Sequence, residues 1–492
     1  MNMTNPLHRM LNPESIAFIG ANNKPTTMGT IQMLHTLAFG FKGKIYPVHS
    51  REKTVLGLTA YSSLRDIPDP IDLAVITVPA HNVLNILKDC GAKGIHFAVI
   101  TSGGFSETGV KGSLLEQEVV RLARLYKIRF IGPNCLGILN PLGRLNLTML
   151  SYKQPPGTMG LASQSGTYIT QVVKYLEKRG IGYSRALNIG NRADIDLVDC
   201  LEYLGNDPET KAIALYIEGV KRPRLFLETA KKVSRVKPIV ALYVSGTDAG
   251  ARSSASHTGS ISAPAELYSA MFRQANIIEA PALEDLYQWT WALANQPVPR
   301  SNRIAILTHS GGPATSIADS CNKYGLLVPL FSHKTQKVIK GLVPPTAAIR
   351  NPVDLTFTTD LVLMAQKLPS LILEDPGIDA LIIHGLMVTS WASDIKKSRP
   401  SLFKGISLDQ INRMVSTSIQ ELSQLPHKYK KPIICSSFMD SAMELCTQEL
   451  HRYNIPVYDG PEKAVGAMSA LVSYKKIMGR KGPLGPWSHK GS

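Results

Sequence analysis

Short apolar runs alternate with segments of helical periodicity over the first third of the chain. The predicted strands span residues 15–21, 44–48, 73–78, 97–100 and 129–132. Helical patterns lie between several of these strands, for instance over residues 30–39, 81–90 and 112–126. This alternation predicts a parallel sheet that is covered on both faces. Ligand-binding residues in such a sheet lie at the carboxyl ends of its strands.

The first predicted strand has Gly20 next to its last residue, and a loop over residues 22–29 leads into a helix. Unpaired amides and the helix dipole make this turn a predicted phosphate site. The spacing lacks the three glycines of a dinucleotide fingerprint, which argues against a dehydrogenase. The candidate binding residues at the strand ends are Gly20, Ala21, Asn22, Gly29, Arg51, Val78, Pro79, Ser102, Gly103 and Asn134. Any one of them, taken alone, is better explained as a turn residue.

A repeat follows in the rest of the chain. A strand, a Ser/Thr-x-Ser-Gly turn and a helix begin near residue 157 and again near residue 303. Both copies continue with an Asn-x-x-Asp turn, a helix, a strand and a Lys-Pro-Ile sequence. These features fall at residues 191–194, 212–218 and 237–239 in the first copy and at residues 351–354, 380–384 and 431–433 in the second. The shared order predicts two flavodoxin-like domains joined by a linker at residues 296–301.

The fold class is therefore predicted to be α/β, with a Rossmann-like domain followed by two flavodoxin-like domains. We expect domain boundaries at residues 1–148, 149–298 and 299–478, followed by a flexible tail at residues 479–492.

Each copy of the repeat places small hydroxyl residues and glycine at the start of a helix. The residues concerned are Ser163, Ser165 and Gly166 in the first copy and Ser310, Gly311 and Gly312 in the second. Two such helix ends could hold one phosphoryl group from opposite sides with their amides. Ordinary helix capping explains the serines, but it explains less well the glycine that follows in both copies.

His257 lies in a segment of small hydroxyl residues and glycine, residues 253–260, which follows an apolar run. An imidazole there is reachable by a phosphoryl group and can act as a nucleophile, with Thr258 and Gly259 binding the oxygens. Glu218 ends a predicted strand, where its carboxylate could orient and charge-stabilise the ring. The second copy has His384 at what we take as the matching place, and no Ser-His-Thr-Gly segment, so only the first copy is predicted to be catalytic.

Composition narrows the class of protein. The chain has 54 Lys and Arg against 37 Asp and Glu, a net charge of +17, which favours anionic partners. The basic residues are dispersed, so we expect no nucleic-acid partner. The six cysteines lack metal or disulfide spacing, and we expect no metal site. Neither a signal peptide nor an apolar run of membrane-spanning length is present, which predicts a cytoplasmic protein with no membrane partner.

These motifs resemble the NDP-forming acyl-CoA synthetases, in particular the α subunits of ADP-forming acetate–CoA ligases, with the succinyl-CoA synthetases as more distant relatives. The resemblance covers about residues 8–475. It rests on motifs at residues 19–21, 78–80, 103–107, 132–137, 163–166, 190–194, 216–219, 256–259 and 351–354.

The resemblance implies that the first domain binds CoA and that His257, with Glu218 as partner, is phosphorylated. It implies the reversible conversion of acyl-CoA, phosphate and ADP into carboxylic acid, CoA and ATP through an acyl phosphate. The chain has no ATP-grasp domain or Walker-type loop. The ATP/ADP and Mg²⁺ site is therefore expected on a partner ATP-grasp β subunit, in an α2β2 complex that acts on a small carboxylic acid.

The chain departs from the family pattern at several positions. Thr27 stands where lysine is usual, His49 and Ser50 replace Asn-Pro, Tyr243 begins a stretch that usually reads Lys followed by Gly-Arg, and His309 replaces asparagine. These changes leave two alternatives open. One is a related ATP-dependent enzyme that passes the acyl group to a non-CoA thiol or an amine. The other is a catalytically silent CoA-binding regulator.

Overall fold

The computed structural model describes residues 5–250, 252, 263–358, 360–386, 389–399, 407–439 and 444–479. Among these residues the chain divides between Asn295 and Gln296 into two compact units. No helix in the described ranges combines the length and the apolar character needed to cross a bilayer.

The first unit begins with a parallel sheet of five strands. Their order across the sheet is Lys44–Val48, Ser15–Ile19, Leu73–Ile76, Phe97–Ile100 and Arg129–Ile131. The associated helices are Pro6–Leu11, Met28–Ala38, Ala80–Lys93 and Val110–Leu125, with 3₁₀ turns at Leu64–Asp66 and Ser106–Thr108 and a small hairpin of Thr54–Val55 and Leu58–Thr59. The strands Ser15–Ile19 and Leu73–Ile76 are buried along their whole length, as expected for a sheet covered on both faces. The predicted Rossmann-like sheet is confirmed.

A second sheet in the same unit has seven strands. Their order is Ile278–Glu279, Ile239–Tyr243, Ala212–Ile217, Met159–Ser163, Tyr183–Asn188, Ile138–Asn140 and Leu145–Asn146. The helices are Thr167–Thr170, Val173–Glu177, Leu197–Asn206, Pro223–Val233, Ala265–Ala275 and Leu283–Asn295. The last two strands pair antiparallel and come from residues before 148. The predicted first and second domains therefore share a sheet.

The single helix predicted after Gly166 is wrong. Two short helices, Thr167–Thr170 and Val173–Glu177, stand in its place. The segment contains β-branched residues, which have low helix propensity. In addition, Thr170 Oγ1 donates to the Gly166 carbonyl at 3.3 Å, a side-chain bond of the kind that bends helices.

The second unit contains a five-stranded parallel sheet. Its order is Val353–Asp354, Ile304–Thr308, Ala380–His384, Ile433–Ser436 and Val457–Tyr458. Its helices are Gly311–Lys323, His333–Leu342, Leu368–Glu374, Thr389–Ser398, Leu408–Tyr429, Leu445–Arg452 and Pro461–Gly479, with a π-helical turn at Leu363–Lys367. Its strands connect in the same order as the parallel strands of the second sheet. The predicted pair of flavodoxin-like domains is confirmed.

Candidate functional site

The predicted CoA-binding residues lie along one edge of the first sheet. Arg51 follows the strand Lys44–Val48, and Gly20, Ala21 and Asn22 follow the adjacent strand. The other candidates follow the next three strands in order, namely Val78 and Pro79, Ser102 and Gly103, and Asn134. The structure therefore brings these residues to a common edge, which we call the first edge.

Two glycines allow the loop of the first edge to pack on Thr77. Gly20 has a φ of +102°, and an added Cβ would lie 2.7 Å from Thr77 Oγ1. A Cβ at Gly29 would overlap the same oxygen. Thr77 Oγ1 donates to the Ile19 carbonyl at 2.9 Å, which fixes its position. Sequence reasoning missed Thr77, because it placed this residue inside the predicted strand 73–78, whereas the observed strand ends at Ile76.

The start of the helix Met28–Ala38 suits an anionic group. Its N-cap residue Thr27 makes no side-chain capping bond, so no side chain at this position occupies the first-turn amides. Asn22 and Thr30 close the loop instead, because Thr30 Oγ1 accepts from the Asn22 amide at 3.0 Å and donates to its carbonyl at 2.7 Å. Exposed Arg51 supplies positive charge on the neighbouring strand end. These residues could therefore accept an anionic group, as the sequence prediction of a phosphate site requires.

In the first copy of the repeat, Ser163 is completely buried, and its hydroxyl donates to the Ser165 carbonyl at 2.6 Å. It therefore shapes the turn. Gly166 packs so closely on Leu136 that a Cβ would overlap that side chain. Ser165 and Gly166 remain half-buried at the strand end, as the prediction requires of phosphate-binding groups.

Glu218 lies directly after the strand Ala212–Ile217 and is 8% exposed. Gln164 holds its backbone: Gln164 Oε1 accepts from the amides of Glu218 and Gly219, and Gln164 Nε2 donates to the Gly219 carbonyl at 2.6 Å. Sequence reasoning selected the serines on either side of Gln164 and missed the glutamine. The position of Gln164 between these two serines was the sequence signal that could have identified it.

Residues 190–192, which we call the junction turn, connect this region to the first edge. A Cβ at Gly190 would overlap the carbonyl oxygens of Pro133 and Asn134. Arg192 is 4% exposed and donates from Nη1 to the Gly219 carbonyl at 2.7 Å. Burial lowers the pKa of Arg192, and the charge of Glu218 opposes that shift. The junction turn thus contacts the predicted CoA site and the turn that carries Glu218.

Tyr243 and Tyr268 stack with ring centroids 3.6 Å apart. Tyr243 Oη donates to the Ala263 carbonyl at 2.7 Å and accepts from its amide at 3.2 Å. Tyr268 Oη accepts from the Val220 amide at 3.0 Å. Tyr243 stands where the family usually has lysine. Its hydroxyl is therefore bonded to the backbone of Ala263, and these two residues flank positions 244–262. The predicted residues His257, Thr258 and Gly259 lie outside the described residues, and their relation to Glu218 stays a prediction.

In the second unit, Ser310 is the N-cap of the helix Gly311–Lys323 and makes no side-chain capping bond, while Gly311 and Gly312 are exposed. Thr308 Oγ1 donates to the Ser310 carbonyl at 2.9 Å, matching the bond of Ser163 in the first unit. The two turns of the repeat are therefore built alike.

Strand register corrects two predicted correspondences. His384 pairs with Thr308 as Tyr216 pairs with Ser163, so His384 matches Tyr216 and Glu218 matches Leu386. Asp354 also pairs with Thr308, as Asn188 pairs with Ser163. The second Asn-x-x-Asp sequence therefore overlaps a strand, whereas the first follows its strand, and the two are not equivalent.

His384 lies at the carboxyl end of the third sheet beside His309, with ring centroids 6.0 Å apart. Its Nδ1 and Ser436 Oγ are hydrogen-bonded at 2.7 Å. Burial, followed by repulsion from His309, lowers the pKa of His384 to about 4. Burial also lowers the pKa of His309, whereas a hydrogen bond to the His384 backbone and the charge of Asp354 oppose the shift. Both rings are therefore neutral at pH 7.

We expect His384 to make the second unit sensitive to acid. Unfolded histidine has a pKa of about 6.5, so between pH 6.5 and about 4 the unfolded chain binds a proton that the folded unit does not. The stability contributed by neutral His384 is complete above pH 6.5 and falls as the pH drops. Urea unfolding should show about 2–3 kcal/mol more loss between pH 7 and pH 4.5 in the wild type than in His384→Gln. Equal losses in both proteins would contradict this assignment.

Comparisons with known proteins agree with this architecture. The CoA binding domain family matches residues 14–141, and the succinyl-CoA ligase like flavodoxin domain family matches residues 156–293. The α subunit of ADP-forming acetate–CoA ligase II from Pyrococcus furiosus is 36% identical, over 96% of this chain and 99% of that protein. ADP-forming acetate–CoA ligase I from Archaeoglobus fulgidus is 31% identical, over 96% of this chain and 64% of the relative.

A solved structure of the dinucleotide-forming acetyl-coenzyme A synthetase 1 from Ca. Korarchaeum cryptofilum, in complex with phosphate and ADP, superposes with a TM-score of 0.84. It is 32% identical and covers 97% of this chain and 98% of that chain.

A CoA-binding domain followed by two flavodoxin-like domains, the first of which matches the succinyl-CoA ligase like family, defines an acyl-CoA synthetase of the NDP-forming class. The chain belongs to the family of ADP-forming acetate–CoA ligases, and it aligns along its length with their separate α subunits. These relatives do not favour the two alternatives, the non-CoA acceptor and the silent regulator.

Proposed function

We propose that this chain is the α subunit of an ADP-forming ligase that interconverts an acyl-CoA and a small carboxylic acid, with His257 as the phosphoryl carrier. The observation that carries this proposal is the placement of Glu218. Its carboxylate is almost fully buried at a strand end, on a turn whose backbone is held by Gln164 and Arg192. A carboxylate held in this way is suited to orient an imidazole and to stabilise its positive charge.

The proposed reaction has three steps. Phosphate attacks the thioester carbonyl, which releases the CoA thiol and forms an acyl phosphate. His257 then attacks the phosphorus atom, so that the P–O bond to the acyl group breaks and the carboxylate leaves. Finally, ADP takes the phosphoryl group, which regenerates neutral His257. Such transfers depend mainly on positioning and charge stabilisation.

The first edge would hold CoA through backbone groups and positive charge. CoA supplies the thiol that carries the acyl group. The amides at the start of the helix Met28–Ala38 and the side chain of Arg51 would bind its phosphates, and the exposed backbone at Gly103 would contact the rest of the molecule. Ser165 and Gly166, which follow the strand that pairs with the Glu218 strand, would meet the phosphoryl group.

The nucleotide step requires a partner. We propose an ATP-grasp β subunit that carries ATP or ADP with Mg²⁺, assembled as α2β2. The longer relative from Archaeoglobus fulgidus supports a further component, since about a third of its length has no counterpart in this chain. All six cysteines are buried free thiols, which supports a reducing, cytoplasmic location.

The test is thioester formation by the complex with its cognate β subunit. A panel of small acids is incubated with CoA, ATP and Mg²⁺, and CoA thioesters are quantified. We expect at least one acid to react and His257→Ala to reduce its rate by about 1,000-fold or more, as for loss of a covalent catalyst. Thioester formation at the wild-type rate by His257→Ala would overturn the proposal.

A further inference from the structure

We infer that Asn191 and Arg192 of the junction turn are positioning residues that couple CoA binding at the first edge to the Glu218 turn. The inference rests on the proposed function, because it assigns a role to two residues outside the sets proposed to bind CoA and the phosphoryl group. It is carried by hydrogen bonds that lead from the first edge to the residue after Glu218.

The first half of this connection is centred on Glu107. Its Oε1 accepts from the amides of Gly104 and Phe105 at 2.5 and 3.1 Å, and its Oε2 accepts from Asn191 Nδ2 at 2.6 Å. Burial would raise the pKa of Glu107, but these bonds, with that of Asn191 foremost, hold it below its ordinary value. The carboxylate therefore stays charged and joins the glycine segment of the first edge to Asn191.

Asn191 is itself held on several sides. Its Nδ2 also donates to Glu116 Oε2 at 2.9 Å, its Oδ1 accepts from Asn134 Nδ2 at 3.2 Å, and its amide donates to the Pro133 carbonyl at 2.9 Å. Two carboxylates thus share one amide group. These bonds would transmit a shift of the Gly104 segment to Asn191, because hydrogen bonds to a charged carboxylate are short and strong.

The second half runs through Arg192 to the Glu218 turn. Arg192 Nη1 and Gln164 Nε2 both donate to the Gly219 carbonyl, at 2.7 and 2.6 Å. The backbone of Arg192 is left-handed, with a φ of +59°, and its carbonyl accepts from Lys221 Nζ at 2.8 Å. Asn191 and Arg192 are adjacent in a tightly packed turn, so a displacement of one is a displacement of the other.

Coupling between two sites is reciprocal. If CoA at the first edge changes the equilibrium constant for phosphorylation of His257 through the Glu218 turn, then phosphorylation changes the affinity for CoA by the same factor. Such coupling typically amounts to about 5- to 150-fold. A contact that only stabilises the fold would leave this ratio of affinities unchanged.

The experiment measures CoA affinity by calorimetry in the complete complex with the β subunit, before and after phosphorylation by ATP and Mg²⁺. We expect the two affinities of the wild type to differ by about 5-fold or more, and the ratio to fall toward one in Arg192→Met and in Glu107→Gln. Arg224→Met is the matched control, because Arg224 is exposed and pairs with Glu228 on the same helix. Its ratio should equal that of the wild type.

The outcomes separate this inference from the proposed function. A wild type that phosphorylates His257 but has equal affinities, or a folded Arg192→Met that keeps the full ratio, overturns the inference and leaves the proposed function intact. Absence of His257 phosphorylation in the wild type overturns both. If Arg192→Met does not fold, Glu107→Gln decides the matter, because Glu107 is only half-buried.

Discussion

Replacing Glu218 by glutamine is expected to slow phosphorylation of His257 by about 100- to 10,000-fold while the fold is kept. Glutamine preserves the size of the side chain but removes the negative charge that would stabilise the ring during transfer. The turn itself should persist, because Gln164 and Arg192 hold backbone groups of residues 218 and 219. Rapid-quench measurement of label from γ-³²P-ATP in the complex gives the rate.

The matched control is Glu228→Gln, on the surface of the helix Pro223–Val233. Both substitutions remove one negative charge, but only Glu218 lies at the proposed site. The control should label at the wild-type rate. A Glu218→Gln protein that labels within about threefold of the wild type would show that this carboxylate has no part in transfer.

Replacing Gly190 by alanine is expected to destabilise the first unit by about 2–4 kcal/mol. Its φ of +50° costs a side chain about 1 kcal/mol. An added Cβ would also overlap the carbonyl oxygens of Pro133 and Asn134, which are backbone atoms and cannot rotate away. The free energy of unfolding, extrapolated from guanidinium chloride titrations followed by circular dichroism, measures the cost.

The substitution Gly57→Ala measures the cost of backbone strain without steric overlap of the added Cβ. Gly57 has a φ of +82°, but an added Cβ meets no atom within 4 Å. We expect a cost of about 1 kcal/mol, from backbone conformation alone. Equal costs at the two positions would mean that close packing of the junction turn on the first edge contributes nothing.

The sequence predicts the sheets and the first edge because both follow from local patterns. Buried apolar runs mark parallel strands, and the carboxyl ends of parallel strands share an edge. Gly20, Ser102 and Asn134 could therefore be placed together, although Gly20 and Asn134 are more than 100 residues apart in the chain. Glu218 could be predicted as a site residue for the same reason, since it ends a strand that is recognisable in the sequence.

Residues that act through tertiary contacts escaped prediction. Thr77, Gln164 and Arg192 matter because of the atoms that they meet, and no spacing in the chain specifies those partners. The correspondence of Asp354 with Asp194 was wrong for a related reason. It compared positions in sequence, whereas hydrogen-bond register aligns Asp354 with Asn188.

The most direct test of the account locates the transferred phosphate. The complex is phosphorylated with ATP and Mg²⁺, digested under alkaline conditions that preserve phosphohistidine, and mapped by mass spectrometry. We expect one phosphorylated residue in this chain, His257, whose label is discharged by ADP. Phosphate on any other residue of this chain, or none on His257, would contradict it.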